Sequence, residues 1–200
     1  MVRPDEPTTA DDPARQRQAL LGQAGRVAWF TGLPSAGKST IAAAAERELL
    51  RQGRLARILD GDAMRGGLCR DLRYSLADRT ENLRRLAEMA ALFAETGVIT
   101  LVAAISPLRA HRAAARAIVG PDRFLEVYVR ADVATCERRD PKGNYARARA
   151  GLITDFTGIG SPYEEPEQAD VVLDTRVLTP DQAVQELVRT LVAHSQRAGS

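Results

Sequence analysis

The stretch Gly32-Leu33-Pro34-Ser35-Ala36-Gly37-Lys38-Ser39-Thr40 constrains this chain more than any other. It follows a short apolar run, "RVAWFT" (26–31), and opens an alanine-rich segment, "KSTIAAAAERELLRQG" (38–53), that reads as a helix. Its spacing is G-x-x-x-x-G-K-[ST]. Glycines let such a loop curl until successive N–H groups converge on an anion. The helix start behind it adds partial positive charge. Lys38 is placed to reach the outer phosphates of a nucleotide, and the Ser39 hydroxyl to ligate Mg²⁺. A chance match in a chain this long is roughly one in a hundred, and the strand-to-helix setting makes chance a poorer explanation still.

The rest of the chain alternates in the same way. "LARILD" (55–60), "VITLVAAIS" (98–106), "FLEVYV" (124–129) and "DVVLDT" (170–175) read as further strands. Between them lie a helix over 75–97, with Ser75 and Asp78 in a capping-box pattern, and a second from Pro107 to about Val119. A short helix over 132–139 and a closing one over 180–197 complete the series. Strands alternating with helices predict an α/β fold of three layers. This is the P-loop NTPase arrangement: a mostly parallel five-stranded sheet with helices on both faces. Residues 1–13 are polar, acidic and Pro-containing and read as a disordered tail; 14–200 read as a single domain. Residues 140–166 are long, glycine-rich and basic at their start, which predicts a mobile lid.

Composition excludes several classes. Net charge is only +2, which argues against a general nucleic-acid or membrane binder. No apolar run is long enough to span a bilayer, and the first residues do not form a signal peptide. The two cysteines, Cys69 and Cys136, have no C-x-x-C spacing and read as small buried or half-buried side chains. His111 reads as a surface helix residue. The chain is expected to be a cytoplasmic protein.

No N-K-x-D guanine signature occurs, and no acid stands at the tip of strand 98–106. The acids stand instead at Asp60 and Asp62, after the second strand. There a small-molecule kinase would need them for an acceptor hydroxyl and the metal. Helix 75–97 carries an apolar stripe through Leu83, Leu86, Ala90 and Phe93. Extended backwards, the stripe passes Arg79, with Asn82 beside it. A charge there demands a partner: a bound anion, or an aspartate such as Asp60 or Asp71.

The stretches "DGDAMR" (60–65), "DRTEN" (78–82), "ISPLR" (105–109), "RDPKGNY" (139–145) and "FTGIGSPYEEP" (156–166) now read together. In order and spacing they resemble the adenylylsulfate (APS) kinases, from about Arg15 to the last helix. The resemblance implies transfer of the ATP γ-phosphate, with Mg²⁺, to the 3′-hydroxyl of adenosine 5′-phosphosulfate. It implies that Gly32, Leu33, Pro34, Ser35, Ala36, Gly37, Lys38, Ser39 and Thr40 bind ATP, with Arg139 on the ATP side. Ser39 and Asp62 would serve the metal, and Lys38, Asp62 and Ser106 would be the catalytic set. Ser106 is labelled a phosphoserine intermediate in that family, but a direct in-line transfer needs none. Its neighbours offer no obvious activating base, which favours a contact role. Arg65, Arg79 and Asn82, with the backbone near Ile105 and Ser106, would hold the phosphosulfate substrate. Tyr74 and Phe156 would sandwich its adenine, and Lys142 would meet anionic groups as the lid closes. The resemblance also implies a homodimer and a separate ATP sulfurylase upstream.

The chain departs from the family pattern D-G-D-N-x-R-x-G-L-N-x-D-L-G-F at Ala63, Gly66, Cys69 and Arg73, and it has Tyr74 where Phe is usual. The lost amides remove hydrogen-bonding capacity. Two alternatives therefore stand beside APS phosphorylation: a relative acting on another nucleotide or metabolite hydroxyl, and a non-catalytic nucleotide-binding regulator.

Overall fold

The computed structural model describes residues 12–197. Its elements run α1 (Pro13–Leu21), β1 (Arg26–Thr31), α2 (Lys38–Arg51), β2 (Ala56–Asp60), α3 (Leu76–Glu95), β3 (Ile99–Ala103) and α4 (Arg109–Val119). They continue with β4 (Phe124–Arg130), α5 (Val133–Arg139), α6 (Asn144–Arg149), β5 (Val171–Asp174) and α7 (Pro180–Arg197). The five strands form one sheet in the order β2-β3-β1-β4-β5, and every pairing is parallel. Five parallel strands send all their carboxyl ends to one edge, where ligands of open α/β sheets bind.

Both sheet faces are covered. Ile41, Ala45 and Leu49 of α2 and Leu187 and Leu191 of α7 pack with Phe30, Leu101, Val127 and Leu173. On the other face, Leu86, Ala87 and Ala90 of α3 and Ala115 of α4 pack with Val27, Trp29 and Val102. Burial of each large apolar side chain contributes about 1.5–3 kcal/mol. With few aromatics available, alanine lets these helices approach the sheet closely. The α3 stripe follows expectation through Leu83, Leu86 and Ala90 but ends on Ala94, while Phe93 stays half-buried.

Four expectations need correction. The part of the predicted tail at 1–11 lies outside the described residues, but residues 12 and 13 begin a helix. The Asp12 carboxylate accepts from Ala14 N at 3.0 Å, and Gly22 (φ +60°) ends α1. No α1 residue is buried, so no hydrophobic stripe announced it. Strand 98–106 spans only Ile99–Ala103, and Ser106 beyond it takes a left-handed backbone (φ +46°). The segment 140–166 is not wholly irregular: it contains α6, and Tyr145 and Thr157 within it are buried. His111 is buried rather than on the surface. Thr80 Oγ1 donates to Leu76 O at 2.9 Å, so His111 Nε2 is the donor in its 3.0 Å contact with that hydroxyl.

Candidate active site

The loop between β1 and α2 has the backbone its sequence demands. Gly32 (φ +150°) passes so close to β4 that a Cβ there would sit 2.5 Å from Val129 O. Gly37 (φ +109°) starts α2, and no side chain caps that helix. The first-turn N–H groups of α2 are thus left for an anion. Lys38 is buried, and its Nζ donates to Gly32 O at 2.9 Å and Leu33 O at 2.8 Å. Burial lowers its pKa to about 8, against opposing pulls that include Asp62 and Asp60.

Ser39 Oγ donates to Asp60 Oδ2 at 2.6 Å. Asp60, not Asp62, is therefore the carboxylate set beside the Ser39 hydroxyl. Asp60 closes β2 next to α2, whereas Asp62 stands further out on the loop. The second Asp60 oxygen accepts from the N–H groups of Asp62 (2.9 Å) and Ala63 (3.1 Å), fixing the loop that carries Asp62. A hydroxyl and a carboxylate in contact are hard oxygen donors that suit Mg²⁺, which takes one or two such groups alongside substrate phosphates. Asp62 Oδ2 instead accepts from Lys142 Nζ at 2.9 Å, and both side chains are about two-thirds exposed (65% and 67%). The lid lysine thus meets the proposed hydroxyl-binding acid directly.

Beside the same loop, Arg139 Nη1 donates to Thr175 Oγ1 at 2.9 Å and Nη2 to Thr175 O at 2.6 Å. Thr175 Oγ1 also lies 3.0 Å from Ala36 O of the loop. Sequence reasoning missed Thr175. The available signal was its place just beyond the carboxyl end of a strand. The lid is anchored here too, by Tyr145 Oη donating to Pro34 O at 3.1 Å.

At the start of α3, Ser75 Oγ caps the helix by accepting from Asp78 N at 3.1 Å. The Asp78 carboxylate does not complete the box; it takes the Arg73 N–H at 3.0 Å. This holds Arg73 without the positive φ that a glycine there could use. The Arg65 guanidinium lies 4.7 Å from the centre of the Tyr74 ring, and that ring is 61% exposed. Arg79 donates from Nε to Tyr74 O at 2.8 Å, from Nη1 to Thr157 Oγ1 at 3.2 Å, and from Nη2 to Asp155 O. It is not held by Asp60 or Asp71; Asp71 pairs with Arg85 at 2.7 Å. Arg79 therefore draws Tyr74 and the segment holding Phe156 to one corner. Phe156 itself rests edge-on against Tyr145, with ring centres 4.8 Å apart.

Two buried polar groups complete this corner. Asn82 is only 4% exposed, and its Oδ1 has no hydrogen-bond partner among the described residues. The loop at Gly61 passes close: a Cβ on that glycine would lie 3.6 Å from Asn82 Nδ2. Ser106 is buried, and its Oγ accepts from Trp29 Nε1 at 2.9 Å. Thr31 Oγ1 lies 2.8 Å from Ile105 O and 3.2 Å from Ser106 O. No histidine or carboxylate among the described residues is hydrogen-bonded to the Ser106 hydroxyl. A left-handed serine costs about 1–3 kcal/mol, so its surroundings must hold it. Cys69 and Cys136 are both fully buried and free.

The sequence profile of the family described as adenylylsulphate kinase matches residues 24–174. The adenylyl-sulfate kinase of Shewanella amazonensis is 51% identical over 178 residues, covering 89% of this chain and 90% of that protein. The structure of the Mycobacterium tuberculosis APS kinase CysC in complex with AMPPNP and APS superposes with a TM-score of 0.81 at 49% identity, covering 84% of this chain and 98% of that one. A hexameric APS kinase from Thiobacillus denitrificans superposes with a TM-score of 0.65 at 28% identity, covering 96% of this chain and 34% of that one.

Proposed function

The chain belongs to the adenylylsulfate kinase family, and from that premise we propose that it transfers the γ-phosphate of ATP to the 3′-hydroxyl of adenosine 5′-phosphosulfate. The observation that carries this reading is the meeting of two half-sites at one sheet edge. A phosphate loop with Ser39 on Asp60 faces an acceptor corner of Asp62, Arg65, Arg79 and the unpartnered Asn82.

Phosphoryl transfer passes through a loose transition state, so catalysis is mostly alignment and charge neutralisation. The loop N–H groups and the start of α2 cradle the β- and γ-phosphates. Lys38 exchanges its two carbonyl acceptors for phosphate oxygens, an exchange that suits a buried cation held only by neutral groups. Arg139 and Thr175 support the nucleotide from the far side of the loop. Asp62 orients the acceptor hydroxyl and takes its proton late in the transfer. For that, Lys142 must leave Asp62, and the released ammonium becomes available to the transferring phosphate as the lid closes. Lid closure also excludes water, the competing acceptor. Arg65, Arg79 and Asn82 hold the phosphosulfate, and Tyr74 and Phe156 turn onto the adenine from their resting partners. Ser106 acts as a contact and shaping residue. Ser39, with Asp60 and Asp62 on the following loop, would hold Mg²⁺, which when bound would supply charge neutralisation for the transfer.

A cytoplasmic homodimer fed by a separate ATP sulfurylase is the setting this reading implies. Among the described residues, no helix is long and apolar enough to cross a membrane. Acceptor-dependent ADP release with a panel of alcohols tests the reading. Release with adenosine 5′-phosphosulfate, abolished in Asp62→Ala while ATP still binds, is the expected result. Release with another alcohol alone, or full turnover by Asp62→Ala, would remove it.

A further inference from the structure

One buried arginine outside the residues discussed so far ties the acceptor loop to the returning arm of the lid. Arg112 of α4 is 3% exposed and reaches in three directions. Its Nη1 donates to Ser106 O at 2.8 Å, and its Nη2 to Glu164 O at 2.8 Å. Its Nε lies 2.6 Å from Glu126 Oε1 of β4, an ion pair whose geometry leaves that oxygen without a hydrogen bond. The same seam is stitched by Glu164 N donating to Pro107 O at 2.8 Å. It is stitched again by Arg109 N donating to Glu164 Oε2 at 2.7 Å, and by Tyr163 Oη lying 3.0 Å from Thr31 Oγ1.

We propose that Arg112, with Glu126 as its counter-ion, is a positioning residue for the acceptor: it holds Ser106 in its left-handed backbone and fixes the 105–107 loop against lid residues 163–165. The physical case is that a buried guanidinium is costly unless it is paired and hydrogen-bonded. Here the charge is paired with Glu126, and one N–H from each Nη bonds the two segments that must keep register, the acceptor loop and the base of the lid. A purely structural ion pair would need only Glu126. The arginine's planar fork reaches two carbonyls at fixed angles, which a lysine cannot reproduce. The proposal rests on the reading that the backbone at Ile105 and Ser106 contacts the acceptor.

Trp29 is the single tryptophan and donates to Ser106 Oγ, so its emission reports this loop directly. The test measures kcat, KM for both substrates and Trp29 emission in the full chain carrying Arg112→Lys, Arg112→Met or Glu126→Gln. Arg112→Lys should raise the KM for adenosine 5′-phosphosulfate about tenfold, the factor expected for loss of a charge-assisted hydrogen bond. The KM for ATP should stay within about twofold, and the Trp29 emission should move. A folded Arg112→Met with unchanged acceptor KM, or with both KM values rising together, would overturn the proposal. If neither Arg112 variant folds, Glu126→Gln keeps both carbonyl contacts and should show the same split at about threefold; no split there is equally fatal. If the wild-type chain releases no ADP with this acceptor, the functional reading fails separately. The positioning claim is then judged by Trp29 emission and ATP affinity: emission that moves with ATP affinity kept supports it, and unmoved emission refutes it.

Discussion

Asn82→Leu should separate substrate binding from stability. The asparagine is 4% exposed, and its Oδ1 finds no partner among the described residues. An unsatisfied buried acceptor costs about 1–3 kcal/mol. If that cost is recovered when a donor of the bound acceptor, a ribose hydroxyl or the adenine amine, reaches this oxygen, the free protein carries it and the complex does not. Leucine has nearly the same size and no polar atom, and volume-conserving changes in packed sites cost less than about 1.5 kcal/mol. The relief matches or exceeds most of that cost, so the free variant should melt no more than about 2 °C below wild type. Removing an interaction of about 1–3 kcal/mol should weaken acceptor binding about 5- to 160-fold. ATP binding should be unchanged, because Asn82 lies in the acceptor corner. Thermal unfolding without ligand and calorimetric titration with adenosine 5′-phosphosulfate and an inert ATP analogue read all three quantities. A variant that melts well below wild type yet binds acceptor normally would refute the reasoning, since Asn82 would then be a structural amide.

Lys38 sets the alkaline limits. Burial lowers its pKa from 10.5 to about 8. Below about pH 8 both folded and unfolded chains hold the proton, and the cost of burying the charge is fully present. Between about 8 and 10.5 the unfolded chain binds more protons, so this group's contribution to stability improves with pH. ATP affinity has the opposite sign: kcat/KM for ATP should fall above about pH 8, and a profile flat to pH 10 would contradict the assignment. Ser39→Ala should raise the Mg²⁺ concentration for half-maximal activity about 10- to 100-fold, measured by metal titration at fixed ATP. Lys142→Ala should leave thermal stability nearly unchanged, because an exposed pair contributes at most about 1 kcal/mol. It should lower kcat about 100-fold if the ammonium serves the transferring phosphate.

The sheet and its phosphate loop were legible because their signals are local and strong. The apolar runs ending at Gly32 and Asp60 mark strands, and the alanine-rich and capped segments mark α2 and α3. The candidate acceptor residues could be named only through several motifs read together, since Tyr74, Phe156 or Arg79 alone look like ordinary core or surface residues. What escaped depends on contacts across long sequence separations. Asp60 rather than Asp62 reaches Ser39 because β2 ends beside α2, a consequence of strand order. His111 is buried by its meeting with Thr80 on a neighbouring helix. The role of Arg112 needs β4, the Ser106 loop and Glu164 to be brought together, and no spacing in the sequence records that. Helix α1 escaped for the opposite reason: it is formed by its caps rather than by burial.

The central claim is that this chain phosphorylates the 3′-hydroxyl of adenosine 5′-phosphosulfate. The purified protein, incubated with ATP, Mg²⁺ and that acceptor, should yield one new product whose phosphorus spectrum and mass show a single phosphate added at the 3′ position, in step with ADP. ADP formed without that product, or a phosphate found on any other acceptor in preference to this one, would contradict it.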